Sequence, residues 1–446
     1  MTLTRPEAQS LVKSALKAAT LKEISVRVSS SREGNLRFAG NAPTTSGEVD
    51  RVDISVTATR DRASATVSGT ARDAAGVAEL VRRAEALAAL APVDPEHVPP
   101  LGPQQYADDP RRPIAADPAA AKLDAQARTD LVAQVLKVAR DGKLIAAGLL
   151  EHGSSSVAFG TSAGLFAYHQ ATEVSLTTTC RTPDGSGSGW AGTVSHRAAD
   201  LDAAGAARRA ADKAEMSRGG GAALEPGAYT VVLEAQAVAD LLEFVLGSLS
   251  ARAADEGRSF FSRPGGNAIG EPLFNPQVSL RSDPMDPTHP SIPFAGDGQP
   301  LPKMTWIDHG KLLALATTRW WAQKQGRKPV PTPRSLFMAG GTASVAELVR
   351  GVERGVLVTR LWYNRMLDPR QILVTGLTRD GTFKIEGGKL SGPVKNMRYN
   401  ESPAAMLGQV LALGRPERVV AGNDGVVVVP PMVVDGFHFA SVSDAV

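Results

Sequence analysis

Residues 229–271 constrain this chain more than any other stretch. Tyr229, Thr230, Val231, Val232 and Leu233 form a short apolar run that reads as a buried strand. Val238, Leu241, Leu242, Val245, Leu246 and Leu249 then recur at helical spacing. At about 100° per residue they make one apolar stripe along one face of a helix. A stripe that continuous has to be covered, so strand and helix must share a core. Glu243 falls off the stripe, Ser248 lies on its flank and Gly247 on the far side.

The rest of the chain is organised around that unit. Residues 4–20 read as a helix with Leu11, Ala15, Leu16 and Ala19 on one side, and residues 23–29 as a strand with Ile24, Val26 and Val28 on one face. Residues 30–34 are expected to turn and residues 35–39 to return. Strands follow at 51–59 and 63–69, then a helix at 73–90. Residues 91–118 are rich in Pro and Asp and read as an extended linker, with His97 in solvent. Beyond it come a helix at 124–141, strand runs at 144–151, 155–160, 164–172, 173–181 and 190–195, and an Ala-rich helix at 199–217. Gly219, Gly220 and Gly221 end that unit. From residue 225 strands and turns alternate, with a short helix near 344–350 and another expected over 403–413, where Ser402 is the N-cap and Pro403 the first helical residue. The expected fold class is α+β. Two N-terminal α+β domains, 1–90 and 119–221, combine helices with antiparallel strands, and a C-terminal domain, 225–446, is mostly antiparallel β with a few helices.

Composition excludes several function classes. Among 446 residues, 49 Lys and Arg nearly balance 46 Asp and Glu, and the cations are scattered. Nothing there suggests a nucleic-acid surface. No apolar run approaches the length needed to span a membrane, and the N-terminal segment lacks the apolar core of a signal peptide, so the expected compartment is the cytoplasm. The lone cysteine, Cys180, cannot pair within the chain and reads as a core strand residue. No two of the seven histidines lie at i,i+3 or i,i+4, so a helix-borne metal pair is missing. His289 with Asp283 and Asp286 reads first as turn chemistry, and His309 as a hairpin tip. There is no GxSxG elbow and no GxxxxGK[ST] phosphate loop.

The strand-helix unit resembles the TldD/PmbA family. In its TldD branch a strand ending in VVL precedes a helix bearing HExxxH, whose two histidines bind zinc and whose Glu is the general base. Aligned on Val231-Val232-Leu233 and Leu241-Leu242, Glu243 and Ser248 replace the two His here, and Phe244 replaces the base. The late cysteine ligand of that branch is replaced by Ala421 in Val420-Ala421-Gly422-Asn423-Asp424-Gly425. The run from Thr378 to Leu390 is similar to the family's TGxFxIExGxL strand pair, and Trp306-Ile307-Asp308-His309-Gly310-Lys311-Leu312 to its xIDxGxL turn. Pro393-Val394-Lys395-Asn396 and Asn400-Glu401 follow its PVK continuation at shorter spacing.

Loss of the ligands resembles the TldE/PmbA branch, the zinc-free partner of TldD. The resemblance implies a non-zinc-binding subunit of a metalloprotease complex that processes or degrades unfolded peptides. No cofactor is expected in this chain. Zinc is expected in a TldD-like partner, so catalysis would need both subunits, and a homodimer is a further arrangement. Interface or substrate contacts are expected from the aromatic and arginine runs Trp320-Trp321 and Trp362 to Arg365, and from a hairpin carrying Phe383 and Ile385. A second reading stays open: a self-sufficient hydrolase or peptide-binding protein with a site that the motifs do not show.

Overall fold

A computed structural model describes residues 2–107, 114–420 and 426–443. Its N-terminal half is one six-stranded antiparallel sheet, in the order β3-β2-β1-β4-β5-β6. The strands are β1 (Glu23–Ala39), β2 (Ala42–Arg60), β3 (Ala63–Gly69), β4 (Ile145–Thr161), β5 (Phe166–Arg181) and β6 (Ser188–Ser195). Even-numbered residues of β1, β4 and β5 point to one face and are mostly buried. Four helices cover that face: α1 (Arg5–Ala18) and α2 (Ala74–Ala88) over Val26, Val28 and Ile54, and α4 (Ala125–Asp141) and α5 (Ala203–Met216) over Leu36, Leu150 and Leu176. A short turn of helix, α3 (Pro118–Ala121), precedes α4.

The segment 91–118, set between two domains by its composition, joins strands of a single sheet, because β1 pairs with β2 on one side and β4 on the other. Its described residues lie against the protein: Tyr106 donates to the Gly298 carbonyl at 2.7 Å, and Thr161 to that of Leu101 at 2.7 Å. His97 is not in solvent; its Nε2 meets a Glu23 carboxylate oxygen at 2.8 Å.

The turn expected at residues 30–34 is absent, since β1 runs straight through it. The misleading signal was Gly34. A Cβ there would lie 2.3 Å from His152 Nε2 and 2.5 Å from an Arg128 nitrogen. That glycine marks a close approach of buried side chains rather than a bend. Likewise the expected runs 144–151 and 155–160 fuse into β4, and 164–172 and 173–181 into β5. Gly160 in β4 is required by α1, because its Cβ would meet Val12 at 2.3 Å.

The C-terminal half holds two further main sheets. Nine strands form one, with β7 (Gly227–Leu233) near its centre between Met432–Val442 and Arg354–Val358. Six short strands form the other. Each contains one parallel pairing, β7 with Arg354–Val358 and Leu336–Met338 with Val426–Val429, and is otherwise antiparallel. The α+β expectation therefore holds for the whole molecule. The helix expected over 403–413 stops at Gly408, and Val410–Leu413 pairs as a strand with Met432–Val442. Ser402 does cap it, accepting from the Ala405 amide at 3.3 Å.

The helix α6 (Ala235–Gly247) follows β7, and one core unites residues of both C-terminal sheets around it. Val238, Leu241, Leu242 and Val245 are fully buried, each contributing about 1.5–3 kcal/mol of transfer free energy. The stripe read from the sequence is thus the packed face of α6. No helix among the described residues is long and apolar enough to cross a membrane.

Candidate functional site

The non-stripe side of α6 carries the positions at issue. Glu243 is exposed, Phe244 and Ser248 are half-buried, and Gly247 faces open space. Phe244 packs on the main core. Ser248 is the C-cap, and its hydroxyl donates to the Phe244 carbonyl at 2.8 Å. That bond satisfies one of the carbonyls a helix end leaves open. Ala421 lies outside the described residues. Zinc takes three or four N, S or O ligands in a tetrahedral set. One exposed carboxylate and a hydroxyl already committed to its own helix do not fit it. No group of three His, Cys, Asp or Glu among the described residues has metal-binding geometry.

Asp240, which the sequence reading passed over, is the notable acid of α6. Its carboxylate accepts from Gln236 Nε2 at 2.9 Å and from the Leu361 amide at 3.0 Å. Burial pushes its pKa up to about 6, against those two hydrogen bonds and the Arg360 charge, while Glu243 adds to the rise. Asn364 continues the network, donating to the Asp240 carbonyl at 3.4 Å and accepting from the Tyr399 hydroxyl at 2.7 Å. The available signal was an acid one turn before Phe244, on a helix flanked by apolar positions.

Asp240 thereby fixes the start of strand Leu361–Asp368, which is the outermost strand of the nine-stranded sheet. Among the described residues this strand pairs on one side only, with Leu373–Thr378, and its register breaks between Trp362 and Arg365. Tyr363 has φ 61°, an uncommon left-handed backbone for an aromatic residue. The result is a strip with Trp362 40%, Tyr363 65%, Met366 37% and Leu367 53% exposed. Arg360 sits over Trp190 and Trp362 at 4.3 and 4.8 Å, Arg379 over Trp362 at 5.4 Å, and Arg365 over Tyr363 at 5.0 Å. Asp380 accepts from Arg360 at 3.3 Å.

The other expected contact residues are placed differently. Trp321 is 4% exposed, and its Nε1 donates to Asp255 at 2.8 Å. Trp320 is half-buried, with its ring 5.7 Å from that of Trp321. Phe383 and Ile385 are 1% and 0% exposed. Their strand, Thr382–Glu386, is paired on both sides, with Arg354–Val358 and Lys389–Pro393. It offers no free edge, and its apolar side chains point into the core because that is where the alternating pattern sends them. Trp362 and Arg365 therefore stand together at an edge, while Trp321, Phe383 and Ile385 are structural. Cys180 is a free thiol in the core under α5, pushed up to about 11 by burial, which removes it as a nucleophile near neutrality. Asp286 is bound to Arg281 at 2.6 Å and to the Thr288 amide at 2.9 Å, the turn chemistry its sequence suggested.

Three solved structures share this architecture. A Thermotoga maritima protein named as a suspected modulator of DNA gyrase matches at a TM-score of 0.83 and 19% identity, over 97% of this chain and 100% of that one. TldE from Thermococcus kodakarensis matches at 0.82 and 16%, over 97% and 99%. A Bacteroides thetaiotaomicron protein, also named as a suspected DNA gyrase modulator, matches at 0.82 and 19%, over 98% and 99%. At such identities the likeness is one of fold. No curated protein matches by sequence. Residues 115–218 match the PmbA/TldA metallopeptidase central domain, and residues 226–441 match the PmbA/TldA metallopeptidase C-terminal domain. With both of those domains in order over most of its length, the chain belongs to the PmbA/TldD metallopeptidase family.

Proposed function

We propose that this chain is the metal-free subunit of a TldD/TldE-type peptidase complex acting on unfolded peptides. The observation that carries this reading is the state of α6. It keeps the family's strand-helix frame, yet Phe244 packs half-buried against the core and the Ser248 hydroxyl caps its own helix. Those positions serve folding, and hydrolysis would fall to a zinc-bearing partner. The edge strand Leu361–Asp368 supplies the second half of the argument. An unpaired edge with clustered Trp, Tyr and Arg is suited to an interface, and a partner strand could extend the sheet there.

In this reading Asp240 is a positioning residue. It holds the first amide of the edge strand against α6 and so sets the strip's angle to the helix. The test is co-expression with an HExxxH-bearing relative from the same organism. The expected result is a stable complex that cleaves an unfolded peptide, and a Trp362→Ala variant that binds the partner about thirtyfold more weakly. Full cleavage by the relative alone, with no complex at micromolar concentration, would remove the proposal.

A further inference from the structure

A polar cluster far from α6 is built around Gly34. In the sheet Gly34 pairs with Glu48 of β2 on one side and with His152 of β4 on the other. Directly paired residues share a face of the sheet, so an acid and an imidazole flank a position with no side chain of its own. Arg128 of α4 fills that gap. Its Nη1 lies 3.0 Å from a Glu48 carboxylate oxygen, 2.9 Å from His152 Nε2 and 3.3 Å from the Leu123 carbonyl oxygen.

The chemistry of this contact fixes the state of the histidine. Arginine has hydrogens to donate and no lone pair to accept with. His152 Nε2 must therefore carry the ring's lone pair. The ring hydrogen sits on Nδ1, which donates to the Ala120 carbonyl of α3 at 3.3 Å. The cluster closes only around a neutral imidazole in that one tautomer. A proton on Nε2 would remove the acceptor and set a second cation 2.9 Å from the guanidinium, where Arg128 is 2% exposed and His152 6%.

The charged groups that face the ring are Arg128 from α4, Glu48 from β2 and Arg32 from β1. α3 presents the Ala120 carbonyl and β5 presents Val174, neither of which titrates. Burial first, and then the Arg128 charge, hold the imidazole below its ordinary value of 6.5, against the Ala120 bond and the Glu48 charge.

We propose that this cluster is an acid-sensitive latch, which neutral His152 closes over α3 and the first turn of α4 and which protonation at Nε2 releases. α3 has four residues, too few to be stable without its attachments. Ala120 is tied to the sheet through His152, and Leu123 through Arg128. Asp117 stays fastened to Thr172 and to the Ala198 amide, so the released segment begins after it. The folded state binds the proton less tightly than the unfolded chain does. The latch's contribution to stability is therefore full above the ordinary value of 6.5 and is lost as pH falls below it. None of this depends on the peptidase reading.

A nitroxide attached to Lys122→Cys reads the latch in the full chain. Lys122 is exposed and Cys180 is buried, so the label goes to position 122. From about pH 7.5 down to about pH 5, a more mobile spectral component should appear, and it should disappear again when the pH is restored. Its ratio to the immobile component should rise with the slope of a single proton, at most about tenfold per pH unit. His152→Gln keeps a neutral acceptor and has no proton to gain, so the label should stay immobile throughout. Glu48→Gln removes a charge that favours protonation and should move the midpoint to lower pH. Glu48 is 40% exposed, so this variant keeps the fold and tests the latch by itself. Its own titration does not intrude, because bonds from Arg32 and Arg128 hold its carboxyl below the ordinary 4.5. A label whose mobility does not change across the range would overturn the proposal. So would the same titration in His152→Gln, or a midpoint in Glu48→Gln that stays in place or rises.

Discussion

Trp320-Trp321 and Trp362-Tyr363 look alike in the sequence, each an aromatic pair with an arginine beside it, yet the chain uses them oppositely. The first pair is fastened inward. Trp321 is buried against the main core, and its ring nitrogen is bonded to Asp255. Arg252 and Lys324 stack on both rings, and Arg252 is itself paired with Glu96 at 2.7 Å. The second pair stands on a strand with no neighbour on its outer side among the described residues. Its cations, Arg360, Arg365 and Arg379, lie over the rings yet leave Trp362 40% and Tyr363 65% exposed. Aromatic-arginine composition thus signals an anchor without saying whether it anchors the chain to itself or to a partner. Burial and sheet position decide that.

Paired truncations would break this contrast most sharply. Trp321→Ala should cost about 3–5 kcal/mol of folding stability, through lost burial and an Asp255 carboxylate left with a weaker set of donors. Trp362→Ala should cost about 1 kcal/mol or less, since its ring is partly in solvent and its remaining contacts are cation–π. Denaturant unfolding of the two variants measures both. Equal losses would mean that the edge strip is as structural as the buried pair.

The next effect concerns how the exposed strip is attached. Asp240 is bonded to the first amide of its strand and has a pKa raised to about 6, from an ordinary 3.8. The folded state holds that proton more tightly than the unfolded state does. Its stabilising contribution is therefore full below pH about 4 and is lost as pH rises from there through about 6. The shift corresponds to about 2–3 kcal/mol between those limits. Asp240→Asn should abolish this slope, so wild type should lose stability relative to the variant between pH 4 and 7. Parallel curves would show that the carboxylate is ionised across the range and that the strip is held differently.

The parts of this architecture that repeat at regular spacing were legible in the sequence. The α6 stripe, the alternation of β1 and the Ser402 cap each depend on near neighbours in the chain, and each stands as read. What failed depends on residues far apart in sequence. Gly34 resembles a turn until His152 and Arg128 are placed against it. The run 91–118 resembles a free linker because the strands on either side of it reveal their shared sheet only in the pairing of β1 with β4. Phe383 and Ile385 resemble exposed edge residues because nothing local shows that Arg354–Val358 and Lys389–Pro393 flank them. At the candidate site the residue types of Glu243, Phe244 and Ser248 are plain from the sequence. The state of Asp240 is not, because its raised pKa comes from burial, and the amide it accepts from lies more than a hundred residues away.

The smallest effect tests whether the α6 positions belong with the inward-facing pair or with the presented one. Ser248→His would place a metal-ligand type at one of the α6 positions invoked in the proposed function. It should cost about 1 kcal/mol or less, chiefly the hydroxyl bond to the Phe244 carbonyl, because Ser248 is half-buried at a helix end. Elemental analysis should find no stoichiometric zinc, and peptidase assays with and without chelator should show no activity. The reason is geometric as well as chemical. Glu243 is an exposed acid of α6, Phe244 has no group that could accept a proton, and zinc needs three or four ligands together with an open position for water. Neighbouring groups that orient those ligands would also be required, and α6 devotes that surface to its own cap and core. Zinc at about one equivalent in the variant, or chelator-sensitive cleavage, would mean that α6 is a near-complete metal site rather than a structural helix. The division between inward-facing and presented residues would then have to be redrawn at Glu243.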